Sequence, residues 1–288
     1  YGLLFKLLCN PEDAVLVPVP SYPLFDFLAK LECVQTVPCR MLYDGSWYLD
    51  IEDLRAKISG RTKAVVIVNP NNPTGSFLKP AERRALAELA SKYSLPVICD
   101  EVFLDYPLAE AAPGGTLLGC GAPLTFCLNG LSKMAGMPHL KLGWIVLDGD
   151  RAKVRAARDR LELILDTYLS VNLPVQSALS DLFAVGDEIR AKLLARIRGN
   201  FAFLKAELTA SAVHVLTTEG GWSAILQLPK VLTEEVWVER LLTEQDIIVQ
   251  PGYFFDMFSE PYVVVSLIAE PEAFRIGVRR LKTLSSAG

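Results

Sequence analysis

The sequence predicts an α/β fold: a mostly parallel central sheet flanked by helices, with a smaller α/β domain at the C-terminal end. Three observations carry this. Short β-branched apolar runs alternate with amphipathic stretches through the first 150 residues, as strands buried on both faces do. The loops closing several runs are rich in Pro, Asn, Ser and Gly, at the strand ends where doubly wound sheets hold ligands. The 288 residues are 51% hydrophobic with a mean hydropathy of +0.29, yet no apolar run approaches the ~20 residues that span a bilayer.

The elements follow in order. An amphipathic helix over 1–9 stops at Asn10-Pro11, and 14–19 is an apolar strand closed by Pro20. Residues 25–31 continue as helix, 34–37 as strand, 51–58 as helix, and 64–68 as a strand ending in the Pro/Asn-rich loop 69–75. Segment 80–93 is the next helix, with strands at 96–99, 124–128 and 143–147. This alternation predicts right-handed crossovers over a parallel sheet. Beyond Asp150 the chain turns charged and helical over 151–169, then 175–208 is a long helical stretch, and 210–288 carry a shorter α/β pattern. The expected division is a large domain over 1–189 and a small one over 190–288. The glycines of 114–119 lack the spacing of a dinucleotide loop and read as an ordinary loop.

A net charge of −4 without a basic tract gives no electrostatic footprint for nucleic acid or an anionic membrane. Six scattered cysteines, none in CxxC spacing, point to a reduced, cytoplasmic setting. His139 and His214 stand in no ligand-spaced cluster, so no catalytic metal is expected. The chain opens at Tyr1 inside a helical pattern, which reads as a fragment whose true start lies upstream.

Chemistry concentrates at three strand ends: the loop Asn69-Pro-Asn-Asn-Pro-Thr-Gly75, the pair Asp100-Glu101, and Ser132-Lys133. Separations of 28 residues from Asn72 to Asp100 and 33 from Asp100 to Lys133 each fit one helix-plus-strand crossover, so one pocket can collect all three. Singly, each has a structural reading as a rigid turn, a helix cap or a solvated lysine.

Together, with Tyr22 in Pro20-Ser-Tyr-Pro23 ahead and Gly136, Lys141 and Gly143 behind, they resemble the class I/II pyridoxal-phosphate-dependent aminotransferases of fold type I over nearly the whole chain. The resemblance implies pyridoxal 5'-phosphate as cofactor, an amino acid and a 2-oxo acid as substrates, and a homodimer, with Asn172 where cross-dimer contacts are common. It implies Lys133 as the Schiff-base lysine and later proton shuttle, and Asp100 as the carboxylate that keeps the pyridine nitrogen protonated. Asn72 matches the amide donating to the cofactor's phenolic oxygen, Tyr22 the aromatic stacked on its ring, and Lys141 a phosphate-binding cation where Arg is usual.

Four departures accompany the match. Phe103 stands where a tyrosine is usual, and Gly130 stands where a phosphate-binding Ser is common, which Ser132 replaces only in part. Val264 takes the place of the substrate-carboxylate arginine, while Arg275, Arg279 and Arg280 read as solvated on the last helix. The phosphate-cradling loop of the family would precede Tyr1. The same cofactor set also serves lyases and decarboxylases of this fold, and an aminotransferase-like body occurs as the sensor domain of transcription regulators.

Overall fold

Five of the apolar runs become parallel strands in the middle of a seven-stranded sheet in the computed structural model, which describes residues 1–109, 114–257, 259 and 261–286. The chain runs α1 (Gly2–Leu8), β1 (Ala14–Val19), α2 (Leu24–Leu31), β2 (Gln35–Tyr43), β3 (Trp47–Leu49), α3 (Ile51–Lys57), β4 (Thr62–Val68), α4 (Pro80–Tyr93), β5 (Val97–Asp100), β6 (Leu124–Gly130), α5 (Leu131–Met134) and β7 (Gly143–Gly149). The sheet order is β3-β2-β1-β4-β5-β6-β7. Every residue of β1 is buried, as both faces are covered by helices. Because β1 pairs with β2 on one side and β4 on the other, the winding reverses at their boundary and opens a crevice at the carboxyl ends. There Asn71 Nδ2 donates to Ser21 Oγ at 3.5 Å, tying the loops after β4 and β1 together.

Two edges depart from the sequence expectation. Strand β2 extends to Tyr43 and turns through Asp44-Gly45-Ser46, with Gly45 at φ +69°, into antiparallel β3. At the other edge β7 runs antiparallel to β6, Gly130 facing Gly143. Residues 131–142 are spent on the four-residue α5 and a 3-10 turn at Pro138–Leu140, so the chain doubles back at the same sheet end instead of crossing over.

The remaining elements are α6 (Arg151–Asp166), α7 (Leu173–Ser177), α8 (Leu179–Leu208), β8 (His214–Val215), β9 (Ser223–Gln227), α9 (Glu234–Gln245), β10 (Gln250–Pro251), β11 (Tyr262–Ser266) and α10 (Pro271–Ser286). The four strands form an antiparallel sheet ordered β10-β11-β9-β8. Residue 190 lies inside the 30-residue α8, which runs unbroken from one body to the other. Near its middle Arg198 donates to the Pro107 and Ala109 carbonyls at 3.0 and 2.9 Å, and Asn200 Nδ2 to those of Leu267 and Ala269, both at 2.9 Å. No helix among the described residues is long and apolar enough to cross a membrane.

The two bodies are tied together at residues 218–222. Glu219 accepts from Phe77 N at 2.9 Å and from Lys79 Nζ at 3.1 Å, while Gly221 N donates to Tyr106 O at 2.9 Å. Glu219 N donates to Gly75 O at 3.3 Å, and Leu108 N to Glu219 O at 2.9 Å. Gly75, at φ +68°, leaves no room for a side chain: a Cβ would sit 2.4 Å from both Gly220 O and Thr218 Cγ2. Gly75→Ala therefore combines left-handed strain with a backbone clash and is expected to destabilise the fold by roughly 2–4 kcal/mol. Chemical denaturation checks this, and an unchanged midpoint would show that the loop is not tightly docked.

Candidate active site

Each singled-out residue except Lys141 stands at or just after the carboxyl end of a parallel strand. Tyr22 follows β1 and is 47% exposed, Asn72 follows β4, Asp100 is the last residue of β5, and Ser132 and Lys133 sit in α5 directly after β6. The strand ends are cross-tied: Asn69 N donates to Asp100 O at 2.8 Å, Glu101 N to Leu128 O at 2.9 Å, and Asn129 Nδ2 to Glu101 O at 3.1 Å. Buried Glu101 is fully engaged with its neighbouring loop, accepting from Thr116 Oγ1 at 2.8 Å and Leu117 N at 2.6 Å. Glu101 is thereby committed to that loop. Helix α8 seats α5 closely, since a Cβ on Gly186 would lie 2.7 Å from Ala135 Cβ.

Among the described residues the side-chain amide of Asn72 and the Ser132 hydroxyl have no hydrogen-bond partner, and the Lys133 amine has neither a hydrogen bond nor a carboxylate. Lys133 Nζ lies instead over the Trp222 ring, 5.3 Å from its centroid. Trp222 stands edge-on to Phe103 and Tyr106, with ring centroids at 5.4 and 5.2 Å. The Tyr106 hydroxyl donates to the Lys133 carbonyl at 2.6 Å, and burial pushes its pKa up to about 12. That hydroxyl is committed to backbone, so it does not replace the one Phe103 lacks. Lys141 is exposed, follows the 3-10 turn in a left-handed conformation at φ +54°, and precedes by two residues the Gly143 that pairs with Gly130. His139 is exposed on the same turn. No cluster of His, Cys, Asp and Glu among the described residues is arranged to hold a metal ion.

Burial raises the pKa of Asp100, and the Tyr1 hydroxyl, which donates to it at 2.8 Å, and the Val102 amide at 3.1 Å oppose the shift. A carboxylate held this way lacks a full counter-charge.

A cleft of about 370 Å³ opens between the two sheets. The large body contributes Tyr22, Asn72 and Phe103, and the small one Trp222, Ser223, Gln250, Val264 and Ser266, with Ile248, Val249 and Phe255 closing the wall. Two of the sequence-predicted residues, Tyr22 and Asn72, thus line it. Lys133 reaches its wall through Trp222, whereas Asp100, Ser132 and Lys141 lie outside its lining. The lining positions from the small body, Trp222 foremost, were not anticipated apart from Val264. The available signal was Gly220-Gly221 set before an aromatic at the start of an alternating strand. Arg275 and Arg279 lie over the Phe203 ring and Arg280 bonds the Gln245 carbonyl, all on α10 and away from the cleft.

The family model for class I and II aminotransferases matches residues 2–283. The chain is 28% identical over 265 residues to the glutamate-pyruvate aminotransferase AlaA of Haemophilus influenzae, covering 89% of this chain and 65% of that protein. With AlaA of Escherichia coli K12 it shares 33% identity over 175 residues, 60% of this chain and 43% of that one. The chain thus spans less than two thirds of the length of these relatives. Among solved structures, an alanine aminotransferase from Pyrococcus furiosus superposes with a TM-score of 0.90 at 22% identity, over 100% of this chain and 74% of that one.

The raised carboxyl yields a pH signature. With a folded pKa above the unfolded value of ~3.9, Asp100 costs the fold nothing when protonated in both states, and the penalty grows as pH rises through the folded pKa. Asp100→Asn is accordingly expected to raise the thermal midpoint of the cofactor-free protein at pH 7 and to lose that advantage below about pH 4. Calorimetry across this range tests it, and equal midpoints at pH 7 would remove the argument.

Proposed function

Because the chain belongs to the class I and II aminotransferases, we propose that it acts as a pyridoxal 5'-phosphate-dependent aminotransferase, moving an amino group between an amino acid and a 2-oxo acid. The observation that carries this reading is the gathering at adjacent strand ends of the Lys133 amine and the Asn72 amide, which have no hydrogen-bond partner among the described residues, and of the Asp100 carboxylate, whose ionisation burial opposes.

The donor set fits the cofactor. Asp100 would face the cationic ring nitrogen, supplying it with a counter-charge and regaining the stabilisation that burial removes. Asn72 would donate its amide N–H to the phenolic oxygen, Tyr22 would lie on the ring, and Ser132 and Lys141 would take the phosphate. When bound, the cofactor supplies an electron sink for the bond broken at the substrate Cα and a carbonyl that carries the amino group between the two half-reactions.

Lys133 has two tasks in this reading. Its Nζ would hold the cofactor, and as a free amine it would accept the substrate's Cα proton and later return it. The Trp222 ring, 5.3 Å from Nζ, forms the face against which the amine rests. Tyr106, holding the Lys133 carbonyl, fixes the backbone from which the amine swings. Phe103 and Trp222 shield this point from water.

We also propose a homodimer. Leu163, Leu165, Tyr168, Leu169, Val171 and Leu173 are 38–84% exposed, an apolar stretch beside Asn172 that is costly to leave in water and suits a second subunit.

Borohydride reduction of the cofactor-loaded full-length protein, followed by peptide mapping, is expected to place the adduct on Lys133. Lys133→Ala should lower turnover on the order of 10³-fold while leaving the fold intact by circular dichroism. An adduct on another lysine, or near-normal turnover in the variant, would overturn the reading.

A further inference from the structure

The cleft's lining sets the charge of what it admits. Its apolar surface comes from Phe103, Trp222, Ile248, Val249, Phe255 and Val264. Its polar groups are the phenol of Tyr22, the amides of Asn72 and Gln250 and the hydroxyls of Ser223 and Ser266, so no charged side chain among the described residues lines it. At the position where the family resemblance implies a guanidinium, Val264 is 3% exposed in an inner strand of the small sheet, facing Gln250 on one side and Ile225 on the other. The neutrality is built into the sheet, because Val264 also packs in the core with Leu216, Ile225 and Phe255.

A second hollow of about 200 Å³ adjoins the first, and Ile248, Val249 and Ser266 line both. Its other walls include Leu226, Phe274 and Val278, with Ser266 its one polar side chain. Ile248, at the rim between the two, is 86% exposed and presents bare apolar surface to whatever enters. Carrying a carboxylate from water into such a space without a paired cation is unfavourable, whereas an apolar side chain gains by the same transfer.

Resting on the aminotransferase reading, we propose that the cleft selects amino donors by a large apolar side chain, aromatic or branched aliphatic, and disfavours donors with a second carboxylate. The single carboxylate of such a donor is held by neutral groups, Ser223, Ser266, Gln250 and Asn72, rather than by an ion pair. Discrimination then comes from the cost of leaving a side-chain carboxylate unpaired.

The test uses the full-length protein with two unreactive probes, 3-phenylpropionate and succinate, titrated by calorimetry with and without cofactor. Single-turnover amino transfer from phenylalanine, leucine, glutamate and aspartate runs in parallel. 3-Phenylpropionate is expected to bind at least about tenfold more tightly than succinate, and kcat/KM for phenylalanine or leucine to exceed that for glutamate or aspartate by a similar factor. Ile248→Lys, at an exposed position that leaves the core untouched, should narrow the probe ratio severalfold by bringing a cation to the rim. Tighter succinate binding, preference for an acidic donor, or an unmoved ratio in Ile248→Lys would each overturn the proposal. Failure of the underlying reading appears separately, as absence of the reduced adduct on Lys133, while probe binding to the cofactor-free protein still reports on the cleft.

Discussion

The docking of residues 218–222 into the large body is the contact on which the rest of the site depends. Glu219 engages the backbone and side chain of the segment after β4, and Gly75 lets two backbones approach where any side chain would collide. At the end of this wedge stands Trp222, delivered against Phe103, Tyr106 and the amine of Lys133. The cleft has walls from both sheets because this turn is held; a loosened turn would leave Lys133 at the edge of an open surface.

The parallel sheet does complementary work. Its reversal between β1 and β4 and the carboxyl ends of β5 and β6 bring residues far apart in sequence to one rim, and their backbones are tied to one another by hydrogen bonds. Such ties satisfy the backbone while leaving selected side chains without partners. The result is a site that holds a carboxyl whose ionisation burial opposes, beside an amine set over an aromatic ring.

Much of this was legible in the sequence. Alternating apolar runs marked β1, β4, β5 and β6, and the loops that closed them carried Tyr22, Asn72, Asp100 and Lys133, all of which stand at strand ends. Strand direction was not legible at the edges, because the side chains of β7 pack alike whichever way the strand runs. The wedge was equally hidden: Phe77 and Glu219 lie 142 residues apart, and a glutamate in a loop carries no local mark of the amide it will meet. Nor did the residue pattern reveal that Tyr106 would spend its hydroxyl on a backbone carbonyl.

Helix α8 joins the two bodies through Arg198 and Asn200, and all four of their acceptors are main-chain oxygens. A carbonyl persists whatever side chain its residue bears. The loops around Pro107, Ala109, Leu267 and Ala269 can therefore exchange side chains over evolutionary time without releasing the grip, provided their backbone paths are kept. Arg198 and Asn200 have no such latitude, since a shorter or differently shaped donor at either place abandons two acceptors at once. The join between the two bodies thus concentrates its sequence requirement in two helical residues and frees the segments they hold to diversify.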